Sequence, residues 1–360
     1  MSVKNKLLGL FISLCICFAI VAACSNPAGN DDDGSGGGGF EEFSLTDGSR
    51  NAYANSVYVD GGDVYVAGDE QNSSDVYVAK LWKNGAVEYE LSDGFRNAYA
   101  NSVYVDGGVV YVAGYERNGS NVNVAKLWKN GAVEYELTDG TWNAAAHSVY
   151  VYNGDVYVAG FEDNASYKNV AKLWKNKAET ILSDETKDAY AYSVYVDSGD
   201  VYVAGGEQKD LSMYFAKLWK NGAVEYELTD GSSGARARSV YVSGGDVYTA
   251  GYTVKSGIIV AMLWKNGAVE YELTDGTRNA YAFSVCVDNG DVYVAGYEQN
   301  SSDVNVAKLW KNNDEIPITD GSSNANANSV YVDNGDVYVT GYALESGITV
   351  AKLWINKAAQ

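Results

Sequence analysis

Short runs rich in Val, Tyr and Trp alternate with clusters of Gly, Asn, Asp and Ser along most of the chain. In the first complete set, the pattern predicts strands over 56–59, 63–68, 76–83 and 86–91. Runs of this length, bounded by turn residues, are typical of strands and not of helices. Asn84-Gly85 lies between the last two runs and favours a tight hairpin, because both residues tolerate positive φ. The set therefore predicts a four-stranded antiparallel meander.

The chain contains seven copies of this set, at intervals of 45 or 46 residues. The units begin at Leu45, Leu91, Leu137, Leu182, Leu228, Leu273 and Ile318. Each unit also repeats one tryptophan, at Trp82, Trp128, Trp174, Trp219, Trp264, Trp310 and Trp354. Periods of roughly 40 to 50 residues indicate propellers, arrays or solenoids. A single meander has two faces and two edges to cover, and radial repetition supplies the neighbours that cover them.

The ends of the repeated region distinguish a ring from an open row. The sequence stops where the fourth strand of the last unit should begin, while 40–45 supplies a spare fourth strand before the first unit. In that spare strand, Phe43 takes the place that Tyr89 has in the first unit. The spare strand fits the missing one. The expected fold is all-β: a seven-bladed β-propeller of four-stranded antiparallel blades over 40–360, closed by an N-terminal strand that completes the last blade.

The repeated motifs also carry a resemblance. The common pattern of the units is Ala-Asn-Ser-Val-Tyr-Val-Asp, then Asp-Val-Tyr-Val-Ala-Gly-Tyr, then Val-Ala-Lys-Leu. This pattern resembles the bacterial seven-bladed β-propeller repeat family, over residues 40–360. The Trp after each Leu and the compact loop before Val-Ala-Lys-Leu depart from that family's pattern. The resemblance implies an architecture and an extracytoplasmic setting, and it implies no particular reaction.

The N-terminal residues predict a lipoprotein signal peptide over 1–23. Lys4 and Lys6 precede an apolar run, which ends in Val-Ala-Ala before Cys24. A charged start, a short apolar run and small residues at the cut are typical of a secretory signal. Small residues directly before a cysteine resemble the bacterial lipobox, which implies lipidation of Cys24, for example with palmitate. The alternatives are an ordinary signal peptide and a retained anchor.

Residues 24–39 hold three consecutive aspartates and a glycine run, a composition that forms no core. We interpret this segment as a flexible, acidic and Gly-rich tether. An acylated Cys24 would bind the lipid bilayer through its buried methylenes. The expected location is the cell envelope, lipid-anchored to a bacterial membrane, with the outer membrane or cell surface expected over the inner membrane.

Charge and cysteine content exclude several classes of function. The chain has 47 acidic and 26 basic residues, a net charge of −21, and its basic residues are isolated among acidic ones. Nucleic-acid binding needs clustered Lys and Arg, so we expect none. Outside the predicted signal peptide and Cys24, Cys286 is the one remaining cysteine, which excludes a disulfide within one mature chain. We expect Cys286 to be a small buried hydrophobe. We predict no cofactor, no metal site and a monomeric body.

Variation between the units points to one face of the ring. Loops after the first and third strands are nearly uniform, and we call their side the uniform face; the opposite side, the variable face, carries segments such as NAYAN, NAAAH and GARAR. Their larger residues are predicted to form two partial rings near the channel rim. The first ring comprises Tyr53, Tyr99, Ala145, Tyr190, Arg236, Tyr281 and Asn326. The second ring comprises Asn55, Asn101, His147, Tyr192, Arg238, Phe283 and Asn328.

Aromatic rings with amide neighbours suit glycans, because rings stack on sugar C–H faces and amides bond hydroxyls. The candidate ligand-binding rim is Trp142, His147, Tyr192, Arg236, Arg238, Tyr281 and Phe283. Two adjacent arginines could bind a carboxylate or sulfate in bidentate fashion. The alternatives are that the arginines pair with neighbouring acidic residues, that the tyrosines only pack the blades, and that the loops have drifted without function.

Two repeated polar positions are expected to be structural. Asp47 and its six equivalents, all but Asp184 directly before Gly, are expected to form turns and not a metal ring. Lys80 and its equivalents, absent only at Met262, are expected to lay their stems on a sheet with the ammonium group in water.

The predicted function is a non-catalytic, membrane-anchored binding module that presents its variable face to a glycan or a protein. The alternative is a structural scaffold in a cell-envelope complex. A polysaccharide-active enzyme is less expected, because catalysis needs a local group of unlike residues, and here one His and abundant, repeated carboxylates form no evident catalytic group.

Overall fold

The computed structural model describes residues 39–210 and 213–358, and these residues form 28 strands and no helix. The first strand is β1 (Glu41–Ser44). The inner strands of blades 1 to 7 are β2 (Ala52–Asp60), β6 (Ala98–Asp106), β10 (Ala144–Tyr152), β14 (Ala189–Asp197), β18 (Ala235–Ser243), β22 (Ala280–Asp288) and β26 (Ala325–Asp333). The second strands are β3 (Asp63–Gln71), β7 (Val109–Arg117), β11 (Asp155–Asp163), β15 (Asp200–Gln208), β19 (Asp246–Lys255), β23 (Asp291–Gln299) and β27 (Asp336–Glu345).

The remaining strands complete the blades from the inside outwards. The third strands are β4 (Tyr77–Lys83), β8 (Asn123–Lys129), β12 (Asn169–Lys175), β16 (Tyr214–Lys220), β20 (Ile258–Lys265), β24 (Asn305–Lys311) and β28 (Ile348–Asn356). The outer strands of blades 1 to 6 are β5 (Ala86–Glu90), β9 (Ala132–Glu136), β13 (Ala178–Ile181), β17 (Ala223–Glu227), β21 (Ala268–Glu272) and β25 (Asp314–Pro317).

Seven antiparallel sheets of four strands form the ring, which confirms the predicted fold class. Blade 7 has the order β1-β28-β27-β26, so β1 is its outer strand. Phe43 pairs with Leu353 as Tyr89 pairs with Leu81, which confirms the predicted closure. We call the pairing of β1 with β28 the clasp. Within it, Glu42 accepts hydrogen bonds from Lys352 Nζ (2.6 Å) and Trp354 Nε1 (2.8 Å).

The inner strands are longer than the sequence predicted. β2 begins at Ala52, four residues before the predicted start at Ser56, and a bulge lies between Ala54 and Ser56. The prediction was wrong because Ala-Tyr-Ala-Asn lacks the branched residues that mark strands. The first half of each inner strand therefore carries the variable residues, and the second half continues to the uniform face.

Each hydrophobic core lies between two neighbouring blades. Leu81 and Ala79 of blade 1 pack with Val103, Val112 and Trp128 of blade 2, and the other interfaces repeat this arrangement. The core between blades 7 and 1 uses Leu45, Trp82, Tyr338 and Leu353 in the same way. All seven repeated tryptophans are at most 1% exposed. No single blade has a core of its own, so the blades depend on their neighbours for stability.

The repeated lysines are buried in ion pairs, and the prediction that their ammonium groups lie in water was wrong. Lys80 Nζ lies 2.7 Å from Glu70, and the Lys80 side chain is 13% exposed. Blade 5 replaces both partners, with Met262 for the lysine and Thr253 for the glutamate. Blade 7 keeps the lysine, Lys352, although Ala343 stands at the glutamate position, and there Glu42 and Glu345 pair with Lys352 instead. The buried lysine thus has a carboxylate partner in every blade that keeps it.

The repeated aspartates form turns, as predicted. Asp47 Oδ1 accepts a hydrogen bond from the Ser49 backbone N–H at 2.8 Å. The six equivalent aspartates accept the corresponding bond.

Tyrosines of the inner strands form a collar near the uniform face. Five pairs of neighbouring rings have centroids 4.7 Å apart, and the collar surrounds a cavity of about 260 Å³. Its members are Tyr58, Tyr104, Tyr150, Tyr195, Tyr241 and Tyr331. Cys286 occupies the seventh position and is 4% exposed, which confirms that it is buried. Burial raises the pKa of its thiol to about 11, so the thiol stays protonated at neutral pH.

Completing the collar should stabilise the ring. We expect Cys286→Tyr to add two aromatic contacts, to Tyr241 and Tyr331, and to raise the melting temperature by roughly 2 °C, because such pairs contribute about 0.5–1.5 kcal/mol each and part of this is offset by repacking. Differential scanning calorimetry measures the change. Cys286→Ala is the control and should lower the melting temperature. A lower melting temperature for the tyrosine variant would show that blade 6 lacks the space that its neighbours have.

Candidate ligand site at the channel mouth

A cavity of about 310 Å³ opens at the channel mouth on the variable face. Six of the seven residues of the predicted second ring line it, and they come from six different blades: Asn55, His147, Tyr192, Arg238, Phe283 and Asn328. The structure therefore places these predicted rim residues around one concavity on the ring axis. No carboxylate is among these lining residues, although the chain is strongly acidic.

The ring backbone and its polar side chains hold this lining in place. The alanines on both sides of the first-ring residue are buried, so each variable side chain leaves the strand from a fixed backbone. Asn55 Nδ2 donates to Ala100 O (3.1 Å) in the next blade, and Asn328 Nδ2 donates to Ala54 O (3.1 Å) in the same way. The asparagines of the second ring are thus bonded to the next blade, which fixes their positions.

His147 follows the same pattern. Its Nδ1 lies 3.0 Å from Ala191 O, which only accepts, so Nδ1 carries the proton and Nε2 of the neutral ring is an acceptor. Burial of the ring, together with the positive charge of Arg238, lowers the pKa of His147 to about 4, against the opposing effect of the Ala191 bond. His147 is therefore neutral at physiological pH.

Arg238 is held by an aromatic face and has no acidic partner. Its guanidinium lies 4.4 Å from the centroid of the Tyr192 ring, and this ring also stacks on His147 with centroids 5.3 Å apart. Its Nε is buried without a hydrogen-bond partner in the described part of the chain, and no described carboxylate forms an ion pair with it. The alternative that this arginine pairs with a neighbouring acidic residue is wrong for residues 39–210 and 213–358.

Arg236 lies two residues before Arg238 on β18 and does not line the cavity. Its guanidinium is 4.3 Å from the centroid of Tyr214, and one of its terminal nitrogens donates to Tyr192 Oη at 2.8 Å. Gly206 lies beside this side chain, since a Cβ there would contact Arg236 Cγ at 3.4 Å. Most other blades have an aromatic residue at the Gly206 position. Within the described residues, Arg236 also lacks a carboxylate partner.

The remaining predicted rim residues divide into two groups. Tyr281 stacks on Phe283 with centroids 5.8 Å apart and borders the cavity lining. Trp142 lies on the turn before β10 and contacts Tyr167 edge-on at 5.6 Å, so the structure does not bring it to the channel mouth.

Asp69 is a polar group near the site that the sequence prediction missed. It is 2% exposed, accepts one hydrogen bond from Asn55 Nδ2 (3.1 Å), and its Oδ2 has no partner among the described residues. Burial raises its pKa to about 8, and the Asn55 bond offsets only part of that effect. The signal was present in the sequence, because the corresponding residue is aromatic in five other blades and Gly206 in the sixth.

The sequence predictions for 1–23 and for Cys24 lie outside the described residues and stay predictions. Only Gly39 of the predicted tether is described. Within the described residues, no helix has both the length and the hydropathy needed to cross a membrane, and no group of three or more His, Cys, Asp or Glu is arranged to hold a metal ion.

Comparison with known proteins assigns no family to this chain. No protein-family profile matches the chain, and no curated protein matches it, so the resemblance to a bacterial repeat family stays a prediction. Similar solved structures include a Trypanosoma rangeli sialidase (8% identity, TM-score 0.47, 85% of this chain and 55% of that chain). They also include the phage phi92 endosialidase (9% identity, TM-score 0.49, 89% of this chain and 70% of that chain). A third is the β-propeller domain of the Trilobed protease from Pyrococcus furiosus (12% identity, TM-score 0.42, 76% of this chain and 97% of that chain). This chain thus spans little more than half the length of the sialidase.

Proposed function

We propose that this protein is a non-catalytic binding protein that captures an acidic glycan at the channel mouth. One observation carries the proposal: Arg238 presents a positive charge in a concave site that has no lining carboxylate, in a chain with a net charge of −21. A cation that is left without an internal anion in so acidic a protein is available for an external one.

The chemistry of the lining suits a sugar carboxylate or sulfate ester. A guanidinium binds either group in bidentate fashion, and charge-assisted bonds of this kind are about twice as strong as neutral ones. Stacking on Tyr192 fixes the plane of the Arg238 guanidinium, which reduces the side-chain entropy lost on binding. The partly buried setting also limits competition from water.

The other lining residues provide contacts for the rest of a sugar. The Phe283 ring offers an apolar face for C–H groups. Because Asn55 Nδ2 makes two hydrogen bonds, to Asp69 and to Ala100, its Oδ1 is left as an acceptor for a hydroxyl group. Nε2 of neutral His147 is another acceptor.

The proposal includes a location. Lipidation at Cys24 would hold the ring at a membrane surface of the cell envelope, with 24–39 as the tether. The support for this part comes from the sequence before residue 39.

Replacing Arg238 should weaken binding of acidic glycans at least tenfold. The test uses residues 36–360, which include the complete ring as one compact unit, and measures affinity by isothermal titration calorimetry after a glycan array has selected an acidic oligosaccharide. We expect Arg238→Gln to lose about 1.4 kcal/mol or more, because a charge-assisted pair contributes about 1.5–3 kcal/mol. Arg96→Gln is the matched control, since it removes an exposed arginine elsewhere and should leave the affinity unchanged.

The other outcomes separate the alternatives. Equal losses for the two arginine variants, or no acidic glycan bound, would contradict the proposal. Capture of one envelope protein without glycan binding would favour the structural scaffold. Cleavage of a polysaccharide that is lost on changing one carboxylate would favour an enzyme.

A further inference from the structure

A second concavity of about 450 Å³ lies on the variable face, away from the ring axis. It shares no lining residue with the channel mouth. Its lining comes from blades 6, 7 and 1 and includes Tyr53, Gln299, Asp303, Asn324, Tyr342 and Thr349.

The pocket arises where two different kinds of loop meet. Blade 6 carries a polar loop in which Asn300 Oδ1 accepts bonds from the backbone N–H groups of Ser302 (2.8 Å) and Val304 (3.2 Å). Blade 7 has instead a tight hairpin, in which Glu345 pairs with Ile348. The loop forms one wall beside the regular strands of blade 7, and its own hydrogen bonds fix the shape of that wall.

Asp303 lies at the tip of this wall and lacks the ion pair that the equivalent aspartate of blade 1 makes among the described residues. Blade 1 contains the same loop sequence, and there Asp75 lies 3.7 Å from Arg50. In blade 6, the corresponding Arg278 donates to the Asn300 carbonyl at 2.9 Å. The Asp303 carboxylate therefore has no ion pair or hydrogen bond among the described residues.

Three further polar groups line the pocket with unused hydrogen-bonding capacity, again counting partners among the described residues. Gln299 Oε1 accepts from Asn279, which leaves its Nε2 as a free donor. Asn324 Oδ1 accepts from the Asn305 backbone, which leaves its Nδ2 as a free donor. The Thr349 hydroxyl has no partner and is both donor and acceptor.

An aromatic pair completes the lining. The rings of Tyr53 and Tyr342 meet edge to face, with centroids 5.1 Å apart. A pocket that combines an aromatic surface with a carboxylate, two amide donors and a hydroxyl has the groups that recognise a pyranose, whose C–H face is apolar and whose adjacent hydroxyls need both acceptors and donors.

We propose that this pocket is a second binding site, which takes an uncharged pyranose. The Asp303 carboxylate would accept hydrogen bonds from two adjacent hydroxyls, and the Gln299 and Asn324 amides would donate to hydroxyl oxygens. The pocket lining includes a carboxylate and no cationic residue, so it disfavours the acidic sugars that Arg238 would bind. The two sites thus differ in the charge of the sugar they accept, and this proposal stands without the first.

The blade repeat provides a matched control for the test. Asp303→Asn removes the charge from the pocket, and Asp75→Asn makes the same change in an identical loop sequence of blade 1. Saturation-transfer NMR with residues 36–360 measures binding of glucose, galactose and mannose, each in the millimolar range. We expect at least one to bind, with a tenfold or greater loss for Asp303→Asn, and a smaller loss for Thr349→Val. Asp75→Asn and Arg238→Gln should bind as the wild type does.

Each other outcome counts against the second site. If none of the three sugars binds the wild type, or if the two Asn variants lose affinity equally, the pocket is not a pyranose site. Loss of binding in Arg238→Gln would place the neutral sugar at the channel mouth instead. Binding of methylammonium in place of these sugars would show that the pocket takes a cation. Because Asp303 is exposed, its replacement should leave the melting temperature within about 1 °C of wild type, which circular dichroism checks.

Discussion

Gly160→Ala is expected to destabilise the ring by about 3 kcal/mol or more. A Cβ at Gly160 would lie 2.0 Å from the carbonyl oxygen of Ala145 and 3.0 Å from the Trp174 ring. The φ of Gly160 is outside the left-handed region, so the cost is steric and not conformational. Backbone on one side and a fully buried ring on the other leave no flexible group that could move, and overpacking of this kind is among the largest single-residue effects.

Gly154→Ala in the same blade is the control. Gly154 has φ of +81° in the hairpin turn, and nothing lies within 4 Å of an added Cβ. Its replacement should cost only about 1 kcal/mol, from the left-handed backbone. Urea unfolding followed by tryptophan fluorescence compares the two variants. If both variants lose the same free energy of unfolding, the inner strand shifts to accept a methyl group at Gly160. The same close approach occurs at Gly68, Gly114, Gly205, Gly251, Gly296 and Gly341, so one result bears on all seven blades.

Asp69→Asn should stabilise the protein at pH 8 and not at pH 5. Burial raises the pKa of Asp69 from its ordinary value of 3.8 to about 8. The folded chain therefore keeps a proton that the unfolded chain loses, and stability contributed by this group falls as pH rises from about 4 to 8. One pKa unit corresponds to about 1.4 kcal/mol. The free energy of unfolding of Asp69→Asn, relative to that of the wild type, should therefore rise by about 3 kcal/mol between pH 5 and pH 8.

Comparing the two proteins at both pH values isolates this group. His147 acts in the opposite direction, because its lowered pKa reduces stability as pH falls below about 6.5, but it is present in both proteins. Tyr77, Tyr99 and Tyr115 face Asp69 and have raised pKa values, first because of burial and further because of the Asp69 charge, so they stay protonated through this range. Urea unfolding at pH 5 and pH 8 gives the difference. If the difference in unfolding free energy between the variant and the wild type is the same at both pH values, Asp69 is already ionised in the folded state.

Repetition made most of the fold predictable. Seven copies fix the number of blades, and the match between spare residues 40–45 and the missing last strand predicted the clasp, because a shortage at one end and a surplus at the other are visible without coordinates. The start of β2 was missed for a local reason. Ala-Tyr-Ala-Asn is a strand only because neighbouring blades bury its alanines, and that burial is a tertiary effect.

The candidate site was predictable in part for the same reason. The alternation of small and large residues placed His147, Tyr192, Arg238 and Phe283 in one ring, and the structure has them around one cavity. The stacking of Arg238 on Tyr192 joins two blades, so no periodicity within one unit reveals it. Asp69 and Gly206 lie on second strands, and both are visible in the repeat as departures from the aromatic residue that the other five blades have at this position.

The clasp also sets an order on biosynthesis. The Glu42 and Trp354 side chains that it joins are separated by 312 residues, so β1 leaves the ribosome long before β28 exists. Neighbouring blades share their cores and can assemble as the chain emerges, whereas closure between blades 7 and 1 must wait for the final strand and close the longest loop in the molecule. The strand made first is thus among the last to find its partner, and the nascent propeller carries an open edge through most of its synthesis.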